Sequence, residues 1–150
     1  MGDVFFYHMT ASPLERTVPM ILTRALARGW RVLLRGSDLR RLSWLDERLW
    51  IDPPDSFLPH GLSGGEFDDA QPVLLTADPS PRQGFACLIT LDGAPLASAE
   101  ITAAERSCVV FDGNDPAAVE LARTQWREIT ATGATAKYWS DAGGKWEQKA

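Results

Sequence analysis

The chain has 150 residues, with 20 acidic and 15 basic side chains, a formal net charge of −5, 45% apolar residues and a sequence pI near 5.0. Domains commonly run about 100 to 200 residues, so one domain with a real core fits this length and a second full domain does not. The acidic total argues against a module that grips DNA over its whole surface, and any anion site must be local.

No run of about 18 apolar residues occurs, and Met1, Gly2 and Asp3 lack the basic-then-apolar order of a secretory signal. A cytoplasmic location is therefore expected. Cys87 and Cys108 both fall in apolar, strand-like runs, which predicts reduced core thiols rather than a disulfide or a metal site.

In chain order, Val4-Phe5-Phe6-Tyr7 is a short apolar run of the kind needed by a strand covered on both faces. Ser12, Pro13 and Glu15 form a helix-start signature, with Ser12 as the expected cap and Glu15 bonding back. Leu14, Val18, Ile21, Leu22, Ala25 and Leu26 follow at helical spacing, and Gly29 ends the helix. Pro19 conflicts with a straight helix from Ser12, so a kink or a restart near Thr17 is expected. Trp30 to Leu34 reads as a second strand, and Leu39, Leu42, Leu45 and Leu49 mark one face of a second helix. Asp52-Pro53-Pro54-Asp55 stops it, and a long loop rich in Gly, Ser, Pro and Asp runs to Ala70.

Pro72 to Thr76 and Phe85 to Leu91 are further strands, separated by the turn residues Asp78-Pro79-Ser80-Pro81. Asp92 to Arg106 is ambiguous, with enough alanine and glutamate for a short helix. Cys108 to Phe111 is another buried strand. Asp115 then caps a helix with Pro116 at its first position, and Ala118, Leu121, Ala122 and Ile129 supply its apolar face up to Gly133. Ala134 to Trp139 reads as a late edge strand, and Asp141-Ala142-Gly143-Gly144 as a hairpin turn. The alternation indicates a single-domain α/β fold, a Rossmann-like layered sheet with helices on both faces.

Such a fold raises the question of a nucleotide site, which uses a glycine-rich first turn to cradle phosphate. The corresponding turn here, His8-Met9-Thr10-Ala11, has no glycine, and Ser63-Gly64-Gly65 lies in the long loop ahead of Glu66, Asp68 and Asp69. His8 and His60 are the two histidines, neither beside a nucleophile-elbow motif, and His60 is expected to pack or hydrogen-bond after Phe57-Leu58-Pro59. No catalytic, cofactor-binding or metal-ligating residue is assigned. A small nucleotide-binding or hydrolytic α/β enzyme stays as the alternative, motivated by the layered fold alone.

Two constellations remain. Arg123, Trp126 and Arg127 are spaced by three and four residues, which places them on neighbouring positions of one helix face. Guanidinium groups take carboxylates in bidentate fashion and an indole offers an apolar wall, so this ridge suits an acidic peptide with an aromatic anchor. The same spacing also suits two solvated arginines beside a partly buried tryptophan. Leu49-Trp50 followed by Ser56-Phe57-Leu58-Pro59-His60 puts large apolar groups in a loop, either as loop packing or as a partner surface.

Val4-Phe5-Phe6-Tyr7-His8, Arg31 to Leu34, Asp46-Glu47-Arg48-Leu49-Trp50, Ser56 to His60, and the ending Tyr138-Trp139 with Gly144-Lys145-Trp146-Glu147 resemble the chi subunit of bacterial DNA polymerase III. The Leu-Trp and Ser-Phe-Leu-Pro-His pairing is the most specific part of the resemblance. It implies a replication adaptor of the clamp-loader complex, without chemistry or cofactor of its own, inside a DNA-directed DNA polymerase (nucleotidyltransferase) holoenzyme. It further implies two partners: the acidic C-terminal tail of single-stranded DNA-binding protein at Arg123, Trp126 and Arg127, and the psi subunit or another clamp-loader subunit at Trp50, Phe57 and Pro59. DNA would then be reached through partners. Charge is distributed to match: residues 1–120 hold 10 basic and 17 acidic side chains, whereas residues 121–150 hold 5 basic and 3 acidic, including Lys137, Lys145 and Lys149.

Overall fold

The computed structural model describes residues 2–51, 59–65, 68 and 71–150, with the Ile51 side chain left aside. The described elements, in chain order, are β1 (Asp3–Met9), α1 (Leu14–Ala27), β2 (Val32–Arg35), α2 (Leu39–Ile51), β3 (Gly61–Leu62) and β4 (Val73–Thr76). They continue with β5 (Cys87–Leu91), α3 (Ser98–Ala103), β6 (Arg106–Asp112), α4 (Pro116–Ala131), β7 (Ala136–Ser140) and β8 (Glu147–Gln148). The strands form one sheet in the order β3-β4-β2-β5-β6-β1-β7-β8, parallel throughout except for β7 with β8.

Alternation along β1 shows how the layers arise. Phe5, Tyr7 and Met9 pack with α1 and α2 residues such as Val18, Leu22 and Leu45, while Val4 and Phe6 pack on the opposite face with Ile101 of α3 and Ala122 and Ile129 of α4. A strand covered on both faces must be apolar at consecutive positions, and Val4 to Tyr7 are all buried. Cys87 and Cys108 are free and buried in the face under α1.

Several boundaries differ from the sequence expectation. Pro13, not Ser12, precedes α1, and no side chain caps its start. The Ser12 N–H instead donates to the Asp141 carboxylate. Pro19 lies inside a helix that begins at Leu14 rather than restarting at Thr17, and its ring is buried, so apolar packing offsets the missing backbone donor. Gly29, at φ 75°, ends α1 as expected: its N–H meets the Leu26 carbonyl and the Trp30 N–H meets that of Ala25, the paired bonds of a Schellman motif. Asp115 caps α4 through the Ala117 N–H, with Pro116 at the first position.

β7 is not an edge strand, because β8 returns beside it after the 141–144 turn. The ambiguous stretch after Asp92 holds the short helix α3, fastened by a contact that local sequence does not announce. Arg35, at the end of β2, is 2% exposed and donates to the carbonyls of Asp78, Ser80 and Pro95 and to both Glu100 carboxylate oxygens. Burial pushes the Glu100 carboxyl upward in pKa, but the Arg35 hydrogen bonds, the Ala97 N–H and the guanidinium charge outweigh it, and the net displacement is downward.

Candidate functional site on α4

α4 lies over β6 and β7. Ala122 and Ile129 are buried, and Val119 and Trp126 pack beside them against the sheet. Leu121, expected in that stripe, is instead 45% exposed. A stripe through 119, 122, 126 and 129 keeps the three-and-four helical period while rotating Leu121 to one flank. The opposite flank carries Arg123 and Arg127, both exposed.

Trp126 is consequently more than a rim residue. Its ring meets Phe6 edge-on at 5.2 Å between centroids and Tyr138 at 5.9 Å, and Tyr138 itself stacks on Phe6 at 6.5 Å. The remaining, partly exposed indole surface borders the flank that carries the two arginines. Arg123 Nη1 lies 3.1 Å from Glu120 Oε1, and Arg127 donates weakly to the Thr124 hydroxyl at 3.4 Å. An exposed pair of this kind is worth about 0.2 to 1 kcal/mol, so Glu120 holds the Arg123 guanidinium only loosely.

Sequence reasoning about the ridge missed Tyr138 and His8 beneath it. His8 Nδ1 is 2.6 Å from the Tyr138 hydroxyl, and the His8 ring sits 5.0 Å from Phe111. Burial raises the Tyr138 pKa and the Arg123 charge opposes that rise, a sign that the guanidinium stands within electrostatic reach of the phenol. The available signal was Tyr138 itself, quoted in the ending Tyr138-Trp139. Its neighbours depend on the pairing of β7 with β1, in which Tyr138 stands opposite Phe6 across more than a hundred residues of sequence.

The second predicted surface sits at the end of α2. Trp50 is 51% exposed and its ring lies 4.2 Å from that of His60, while Pro59 is half-buried beside it. His60 is buried, with Nε2 3.0 Å from the Asp46 carbonyl and 3.2 Å from its Oδ1. Burial is the largest influence on the Asp46 carboxyl and lifts its pKa against the pull of His60. The structure brings Trp50, Pro59 and His60 together, whereas Phe57 lies outside the described residues. α2 covers the sheet face opposite α4, toward β3 and β4, so the two surfaces are separated by the sheet.

The places where a layered sheet would take phosphate are already committed. The turn after β1 presents the N–H groups of Thr10, Ala11 and Ser12 to one internal carboxylate, Asp141, at 2.6 to 3.1 Å. In the long loop, the Gly64 and Gly65 N–H groups likewise donate to Asp68. A crevice of about 430 Å³ opens at the C-terminal ends of β5 and β6, the usual ligand position in open α/β sheets. Its polar lining includes Asp92, Asp112 and Asp115, with Arg41 paired to Asp92, which is a poor setting for an anionic nucleotide. Among the described residues no group of three or more His, Cys, Asp or Glu side chains is placed to hold a metal ion, and no helix is long and apolar enough to cross a membrane.

Comparison with curated proteins finds none that matches. The family model for the DNA polymerase III chi subunit, HolC, matches residues 1–137, from the start of the chain through α4 and into β7. With that match covering most of the chain, the protein belongs to the DNA polymerase III chi subunit family and serves DNA replication as an accessory subunit.

Proposed function

We propose that this chi-family chain links the clamp-loader complex to single-stranded DNA-binding protein by holding that protein's acidic C-terminal tail on α4. The carrying observation is the exposed Arg123 and Arg127 along one flank of the partly exposed Trp126 indole, in a C-terminal segment, residues 121–150, where five basic residues outnumber three acidic ones. Arg123 and Arg127 take the tail's carboxylates, and Trp126, backed by Phe6 and Tyr138, holds its last apolar side chain. The surface at Trp50 and Pro59, together with Phe57, receives psi or another clamp-loader subunit. Because α2 and α4 cover opposite faces of the sheet, both partners fit at once. The chain performs no chemistry in this role, needs no cofactor, and works in the cytoplasm as part of the polymerase holoenzyme.

Exposed charge contacts are individually weak and screened by salt, so tail affinity is modest and falls as salt rises. Many tails on one coated strand compensate through effective concentration. Calorimetric titration of the full chain with an acidic tail peptide tests the assignment. Arg123→Ala and Arg127→Ala are each expected to weaken binding about two- to fivefold, the loss of an exposed charge contact, and removal of the peptide's terminal apolar residue to abolish it. Unchanged affinity in all three cases would sink the proposal.

A further inference from the structure

The acidic total leaves open a local anion site, and the structure contains a second row of cations away from α4. Across the N-terminal ends of β7, β1 and β6 and the connection from α1 to β2, cations and rings alternate. Lys137 Nζ lies 5.4 Å from the centre of the Phe5 ring, and the Arg106 guanidinium lies 4.1 Å from the same ring. Arg106 is also 5.2 Å from the Trp30 ring, which Arg28 approaches at 5.0 Å. Arg24, in the last turn of α1, extends the row beside Trp30 and Arg106.

No carboxylate of a described residue forms an ion pair with Arg24, Arg28, Arg106 or Lys137. The nearest acidic residues by position are Asp3, opposite Arg106 in the β1–β6 register, and Glu105, which precedes it and is exposed. Two further donors, Arg106 Nε and Trp139 Nε1, are buried without a hydrogen-bond acceptor, and both residues line a cleft of about 50 Å³ together with Arg24 and Trp30.

We infer that this row is a contact for the phosphate backbone of single-stranded DNA. Cation–π contacts hold the guanidinium and ammonium groups in place before any ligand arrives, so less side-chain freedom is lost on binding. An acidic peptide with an apolar anchor is the poorer fit. Phe5 and Trp30 already carry two cations each, leaving repeated negative charge as the feature that the row can read. The chain belongs to a DNA polymerase subunit family, so a nucleic-acid strand is the source of repeated phosphate that this family membership favours. The row lies on the α1 side of the sheet, so the contact is independent of the tail assignment on α4.

Fluorescence anisotropy of the full chain with a labelled oligothymidylate at low salt is the test. Weak binding is expected, with a log–log salt slope of about −2 to −3 for three or four phosphates. Arg24→Glu with Arg28→Glu should weaken it at least tenfold, both residues being exposed, and Lys137→Glu should act in the same direction. Arg16→Glu with Arg40→Glu, the same change of charge at exposed positions elsewhere, should leave it within twofold. Absence of binding at low salt, equal weakening by the control pair, or occupation of the row by an acidic peptide in place of the strand would each overturn the inference.

Discussion

Arg35→Ala is expected to remove about 3 to 5 kcal/mol of folding stability, the usual cost of breaking a buried ion pair by deleting one partner. The residue is 2% exposed, and its guanidinium satisfies three backbone carbonyls from the β4–β5 connection and the approach to α3, besides Glu100. Deletion leaves those carbonyls without a donor and the Glu100 charge without a counter-ion. Single domains are typically stable by about 5 to 15 kcal/mol, so the variant should unfold at a much lower urea concentration than the parent. Arg35→Met combined with Glu100→Leu separates the two causes. Removing both charges should recover a large part of the loss, because the Glu100 charge is no longer stranded. Chemical denaturation followed by circular dichroism reads both outcomes, and an Arg35→Ala midpoint equal to that of the parent would refute the structural role.

Asp141 carries the second large effect. It is 1% exposed and accepts the N–H groups of Thr10, Ala11 and Ser12, fastening the turn before β8 to the turn after β1. Asp141→Asn replaces one carboxylate oxygen with a donor that must face another donor, and charge-assisted bonds of this kind are worth about 1.5 to 3 kcal/mol. A loss of about 3 kcal/mol is expected at neutral pH. The pH dependence has a definite sign. Burial pushes the Asp141 carboxyl up in pKa, the three N–H groups and the Ser12 side chain pull it down further, and the net folded value lies below the ordinary one. The contribution is therefore complete above about pH 4, the unfolded value, and disappears as pH falls through the lower folded value. Parent and Asp141→Asn stabilities should differ fully at pH 7 and converge in acid. A gap that persists unchanged in acid would show that the charge is not what matters.

These two residues also mark where the sequence stops being readable. The layered α/β architecture was legible because Val4 to Tyr7, Val32 to Leu34 and Cys108 to Phe111 are apolar at consecutive positions, as doubly covered strands require. The start of α4 was legible because Asp115 and Pro116 are local signals. Ser12 misled, since a local capping pattern cannot show that a carboxylate about 130 positions away takes its N–H. Arg35 was invisible for the same reason, its partner Glu100 lying 65 positions downstream. On α4, spacing put Arg123, Trp126 and Arg127 at neighbouring helix positions and placed the buried stripe through Leu121, which is exposed. Choosing between flanks of comparable polarity depends on which side the sheet lies, and Val119 and Trp126 are what it covers. The Trp50 and Pro59 surface was legible as a cluster of large apolar residues after a helix, while the His60 contact that supports Trp50 depends on the fold.

The tail assignment is tested most directly by following backbone amide and indole N–H resonances of the full chain while the acidic C-terminal peptide of single-stranded DNA-binding protein is added. Shifts are expected to concentrate on α4 and β7, with the Trp126 indole N–H and the amides around Arg123 and Arg127 moving most and the Trp50 indole staying still. Saturable shifts centred on Trp50, or on the crevice at Asp92 and Phe111, with Trp126 unmoved, would contradict it.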